Sequence, residues 1–268
     1  MKSRIVVKVG TSTLTSENGK IDLRNIEHLV RVLSDIMAKG VEVVLVTSAV
    51  ITVGYEKMGL PARPKELNLT QAAAAVGQCE LMHIYDKLFN EYGRVAAQIL
   101  LDEEDMCCEK RRQNLLRTFL TLLEHGIIPI VNENDSVSYQ EIESADKLFG
   151  DNDTLSAHVA LLCGADKLIL LSDIDGLYEQ DPRENQNAEL IQQVSCIDEH
   201  IKKLAGGSGT ARGTGGMISK IHAAELVTSY GCEMFIVNGA YPNYIYSILE
   251  GVSVGTYFKT TKEIQTIK

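Results

Sequence analysis

Strand-like and helix-like patterns alternate along this chain, and the alternation leaves few architectures open to it. Residues 4–9, RIVVKV, form a short β-branched run that Gly10 stops, which predicts a buried strand. Leu23, Ile26, Leu29, Val30, Leu33, Ile36 and Met37 then recur at helical spacing, with Gly40 as the stop, and residues 41–46 are strand-like again. Two such strands joined through a helix in one sheet imply parallel pairing and a right-handed crossover. The alternation continues with helix 70–92, strand 95–101, helix 112–125, strand 127–131, helix 154–163, strand 167–172, helix 217–230, strand 234–237 and a helix over 243–250. The expected fold is α/β, an open and mostly parallel sheet sandwiched by helices. No Pro/Ser-rich linker and no internal repeat divides the 268 residues. One continuous domain is therefore expected, with two lobes of about 1–165 and about 166–260.

Composition removes several classes of function. A net charge of -10 and a pI near 5.1 argue against a sequence-independent nucleic-acid binder, which needs a basic face. No window holds the roughly 18 uninterrupted apolar residues of a membrane span. The N-terminal apolar run is short and broken by Lys8, unlike a signal peptide, so a cytoplasmic protein is expected. The six cysteines, Cys79, Cys107, Cys108, Cys163, Cys196 and Cys232, contain no C-x-x-C pair. They read as reduced, mostly buried thiols, and the neighbours Cys107 and Cys108 would bridge only with strain.

In open α/β sheets ligands bind beyond the carboxyl ends of the strands. Polar residues cluster there after residues 4–9, 41–46, 127–131 and 167–172. The densest glycine stretch, SGTARGTGGMISK over residues 208–220, runs straight into a helix pattern with Lys220 about one turn inside. It fits neither the Walker A nor the dinucleotide pattern. Bare backbone amides, a helix N-terminus and an ammonium nevertheless make a cradle for polyphosphate oxygens. The alternative is a surface loop with a solvated lysine. In FGDNDTLS, residues 149–156, Asp153 reads as a possible N-cap, which leaves Asp151 and Asn152 for a polar site. Glu133, Asp135 and Asp151 raise the question of a metal cluster. Magnesium, however, takes few protein oxygens where phosphates supply the rest, so Mg²⁺ is expected to arrive with a nucleotide and no protein metal site is expected.

The stretches VVKVGTSTLT, VLVTSAVITVG, AAVGQ, IPIVNENDSV, FGDNDTLSA, LLSDIDGLY with DPR, and GTGGMISKIHAA occur in this order. Together they resemble the glutamate 5-kinases of the amino acid kinase superfamily, and the likeness spans residues 4–258. The resemblance implies a three-layer α/β/α sandwich and ATP-dependent phosphorylation of the γ-carboxylate of L-glutamate, the first step of proline biosynthesis. It implies that Lys8 and Lys220 stabilise the transferring phosphoryl group and that Asp153 orients them. It assigns Ser48, Asp135 and Asn152 to the glutamate site in the first lobe. Lys8, Ser172, Asp173, Thr214, Gly215, Gly216, Met217, Ile218, Ser219 and Lys220 fall to the nucleotide site in the second. Inhibition by proline and a homo-oligomer, dimer or tetramer, are implied as well. Two features depart from the family. Ser48-Ala49-Val50 stands where Ser-Gly-Ala is usual, which is expected to weaken glutamate binding or shift the loop. The sequence also stops short of the C-terminal PUA domain that many members carry, so a single kinase domain is expected. The competing readings are a related kinase acting on acetylglutamate, aspartate or carbamate, and a non-catalytic amino-acid sensor of the same fold.

Overall fold

A computed structural model describes residues 2–16, 19–137, 151–183, 185, 187–205 and 216–260. Its centre is one eight-stranded sheet in the order β3-β4-β2-β1-β5-β7-β8-β6. The strands are β1 (Arg4–Val9), β2 (Glu42–Val46), β3 (Ala96–Leu101), β4 (Ile128–Glu133), β5 (Lys167–Ser172), β6 (Gln193–Val194), β7 (Glu233–Asn238) and β8 (Thr256–Phe258). From β3 to β7 all neighbours pair in parallel, β8 runs antiparallel to its neighbour β7, and β6 pairs with β8 in parallel. The mostly parallel sheet read from the alternation is the sheet observed.

The helices are α1 (Thr11–Leu14), α2 (Leu23–Ala38), α3 (Val50–Lys57), α4 (Leu67–Glu91), α5 (Glu103–Cys107), α6 (Glu109–Glu124), α7 (Asn152–Cys163), α8 (Glu199–Leu204), α9 (Met217–Thr228) and α10 (Tyr244–Leu249). They cover both faces of the sheet, because each central strand is apolar on both sides. Along β1, Ile5, Val7 and Val9 join the core under α2, α3, α4 and α10. Val6, on the other face, joins the core under α6, α7 and α9. The period of two therefore sends Lys8, like Val6, toward α7 and α9.

Helices α3 and α4 meet backbone to backbone. A Cβ built on Gly77 would lie 1.8 Å from the Val50 carbonyl oxygen, and one on Gly54 would lie 1.7 Å from that of Ala73. Only glycine permits this approach, and it fixes the loop that precedes α3.

Two sequence expectations need correction. Of the six cysteines, all free, only Cys163 and Cys232 are buried. Cys79 lies on the outer face of α4, and Cys107 and Cys108 occupy the exposed joint between α5 and α6. The cap of α7 is Asp151, whose Oδ1 accepts from the N–H groups of Asp153 and Thr154, both at 2.9 Å. Asp153 lies one step further in and is free for another task.

Candidate active site

The carboxyl ends of β1, β2, β4, β5 and β7 share one edge of the sheet, and helix N-termini converge on it. Asp153, in the first turn of α7, is 1% exposed. Its Oδ1 lies 2.7 Å from Lys8 Nζ, at the end of β1, and its Oδ2 lies 3.0 Å from Lys220 Nζ, in the first turn of α9. Ser219 Oγ lies 2.9 Å from Oδ2 and 2.8 Å from the Gly216 carbonyl oxygen, and its single proton serves one of them at a time. Lys8 and Lys220 are themselves 8% and 9% exposed. Burial by itself would raise the Asp153 pKa, but the two ammoniums outweigh it and hold the carboxyl well below the usual range. Two positive charges and one negative leave a net positive charge in a nearly dry place, where an anion is attracted far more strongly than in water.

A second group of side chains joins this cluster through the chain itself. Asn152, next to Asp153, has its Nδ2 within reach of three acceptors, the Thr47 carbonyl at 2.7 Å, Ser48 Oγ at 2.9 Å and Asn132 Oδ1 at 3.0 Å, and its two protons serve two of them at a time. Asn132, 1% exposed, donates in turn to Gln78 Oε1 at 3.2 Å. The loop after β2 is thus tied to β4 and α7 at once. Between Ser48 and α3 stands Ala49 at φ 72, ψ 2, the left-handed region. It is the only non-glycine residue with positive φ among the described residues. Asp135 follows β4, half-buried, and burial pushes its carboxyl up to about 6 against the opposing charge of Arg63.

Ser172 and Asp173 close β5, one strand over from Lys8. Ser172 Oγ lies 3.2 Å from Asp173 Oδ1, and Arg183 Nη2 lies 3.1 Å from Asp173 Oδ2. Gly216 caps α9 without a side chain, Met217 and Ile218 are partly open to solvent, and Ser219 and Lys220 turn inward. Thr214 and Gly215 lie outside the described residues. Lys8, Asp153, Ser219 and Lys220 therefore meet, as do Ser48 and Asn152, and the two groups abut at the start of α7. Sequence reasoning passed over Asn132 and Thr47, although both sit directly at strand ends where polar residues were to be inspected.

Residues 3–238 match the Amino acid kinase family. The chain is 52% identical over 259 residues to "Glutamate 5-kinase" of Clostridium perfringens, covering 97% of this chain and 96% of that protein. The chain belongs to the glutamate 5-kinases of the amino acid kinase family. Another member, "Glutamate 5-kinase" of Clostridium tetani, is 53% identical over 258 residues, with 96% of this chain and 95% of that one covered. Among solved structures, a carbamate kinase from Giardia lamblia superposes with a TM-score of 0.67 at 15% identity, over 96% of this chain and 98% of the other. At that identity the likeness speaks for the fold alone.

Proposed function

We propose that the chain transfers the γ-phosphoryl group of ATP to the γ-carboxylate of L-glutamate, giving L-glutamyl 5-phosphate at the entry to proline biosynthesis. The observation that carries this reading is one carboxylate, Asp153, holding the ammoniums of Lys8 and Lys220 beside the Ser48–Asn152 pair. In this reading Ser48, Asn152 and Asp135 hold the acid in the half of the chain up to about residue 165. Ser172, Asp173 and residues 214–220 hold the nucleotide in the half that follows.

The chemistry asks little of proton transfer. A carboxylate is already a nucleophile, so its oxygen forms the new bond to phosphorus while the bridging oxygen leaves with ADP. Charge moves from the transferred group onto the leaving oxygen, and the preorganised ammoniums of Lys8 and Lys220 neutralise it without reorganising. Asp153 keeps those ammoniums in place and lessens their mutual repulsion. The acid lies in line because Asn152 and Asp153 are consecutive on one rigid helix turn. Among the described residues no group of three or more His, Cys, Asp or Glu side chains converges to hold a metal, and Asp151 is engaged as a cap. The cationic pair suits phosphate oxygens instead, so we assign Mg²⁺ mainly to the nucleotide phosphates, where it would supply further charge neutralisation.

A cytoplasmic location, assembly into a homo-oligomer and inhibition by proline belong to the same reading; no described helix is long and apolar enough to cross a membrane. ADP release by the purified protein with ATP and Mg²⁺, with and without L-glutamate, tests the reaction when acyl phosphate is trapped with hydroxylamine. Glutamate-dependent ADP with a matching yield of hydroxamate is expected, and turnover indifferent to glutamate would exclude the assignment. Adding proline to the same assay and seeing no change in rate would remove the inhibition.

A further inference from the structure

The acid pocket rests on a residue that reaches it from behind. Tyr85 lies in α4, about five turns beyond the opening of that helix, and is fully buried. A tyrosine placed so deep keeps its hydroxyl only where the hydroxyl has a partner. That partner is Thr47 Oγ1, at 3.0 Å. Thr47 is itself 0% exposed and is pinned at two further points. Its N–H donates to the Val131 carbonyl at 2.9 Å, and its own carbonyl accepts from Asn152 Nδ2 at 2.7 Å. Directly after it come Ser48, bonded to the same Asn152 amide, and Ala49 in its left-handed turn.

A left-handed alanine costs roughly 1 kcal/mol or more and persists only where its surroundings over-determine it. The backbone bond of Thr47 to β4 sets the height of the loop. It does not set the rotation that aims Ser48 Oγ and the Thr47 carbonyl at Asn152. The side-chain bond to Tyr85 supplies that rotation from the opposite side of the loop, and α4 can supply it because Gly77 and Gly54 bring it against α3.

We infer that Tyr85 is a positioning residue for the acceptor acid: through Thr47 Oγ1 it sets the rotation of the Thr47–Ala49 turn and thereby the aim of Ser48 and Asn152. Among the described residues its hydroxyl bonds to Thr47 and to none of Lys8, Asp153, Ser172, Asp173 and Lys220. Its effect falls on acid binding alone. This inference rests on the reading of Ser48 and Asn152 as the acid site.

The test is a double-variant cycle on the glutamate-dependent reaction, with KM for glutamate, KM for ATP and kcat read separately for Tyr85→Phe, Thr47→Val, Thr47→Ser and the pair Thr47→Val/Tyr85→Phe. Each single loss leaves one buried hydroxyl unpaired, whereas the double variant removes both members of the bond. Glutamate KM is expected to rise about five- to tenfold in Tyr85→Phe and in Thr47→Val, with ATP KM and kcat within about twofold of the parent. Thr47→Ser keeps the hydroxyl and should keep the parental KM, and the double variant, which lacks the same bond, should show the loss of either single variant and not the sum of the two. Single variants that melt earlier but bind glutamate as the parent does would overturn the inference, as would parallel losses in ATP KM. A parent without glutamate-dependent turnover brings down the acid-site reading and this inference with it; a parent that turns over beside unmoved single variants brings down this inference alone.

Discussion

Lys220 Nζ stands 3.0 Å from Asp153 Oδ2 across a sequence separation of 67 residues, a bond that locks the first turn of α9 to the first turn of α7. Both helices point their positive ends at the same place, where the dipoles favour an anion. Asp153 and the cap Asp151 supply negative charge there, and in the proposed reaction a nucleotide phosphate adds to it.

Replacing Lys220 by alanine leaves Asp153 paired with Lys8 and removes one of the two charges proposed to meet the migrating phosphoryl group. Turnover is expected to fall about 10²–10³-fold, the range for loss of one preorganised donor, with glutamate KM little changed. Steady-state kinetics decide it, and near-parental kcat would show that the ammonium is not used in the transfer.

Asp153→Asn is expected to be worse for the fold than for substrate binding, because it leaves two neighbouring ammoniums without their counter-charge. Breaking a buried ion pair in this way costs about 3–5 kcal/mol, so the melting temperature should drop sharply. The same group gives the acid branch of stability its sign. Its pKa is depressed in the fold, so its contribution is complete above the unfolded value of about 4 and is lost as the pH falls below it. Chemical denaturation as a function of pH should show a steeper acid decline for the parent than for Asp153→Asn; parallel curves would contradict the pairing.

Asp135 carries the opposite sign. Burial raises its carboxyl to about 6, so the free fold favours the neutral form, and that contribution to stability fades as the pH rises through the same value. In the proposed acid site, an Asp135 that holds the ammonium of the acid would do so in its ionised form. Glutamate KM should therefore climb as the pH falls below about 6 and level off above it, while Asp135→Asn should bind weakly with a flat profile. A flat profile in the parent would separate Asp135 from the acid.

Ala49→Gly removes the cost of a left-handed alanine and adds the freedom glycine has when unfolded. The first effect, about 1–2 kcal/mol, exceeds the second, about 0.4–1 kcal/mol, so a modest rise in thermal stability is expected. Ala49→Val should move the other way, since a β-branched side chain tolerates that region less. If the glycine variant melts earlier than the parent, the turn is not strained.

Much of this fold was legible because its central strands are short, β-branched and buried on both faces; β1 and β5 run over the same residues in the sequence pattern and in the sheet. Helix α3 went unread, since Val50, Ile51, Thr52 and Val53 look like a strand until Gly54 lets α4 press against them. Strands β6 and β8 span only two and three residues, too few for any period to register. Within the site, the lysines were visible through their place at a strand's end and inside a glycine-led helix. The division of labour between Asp151 and Asp153 was not, because adjacent carboxylates in a helix start are told apart only by which one the backbone amides reach.

The place of β1 between β2 and β5 also sets a timetable for the newborn chain. Its edge toward β2 can close soon after synthesis begins, but the edge toward β5 stays open until residues 167–172 emerge. At the ribosomal pace of about 5–20 residues per second that wait lasts about 10–30 s. For that interval an apolar ladder from the middle of the finished molecule is an outside edge, open to pairing with other chains.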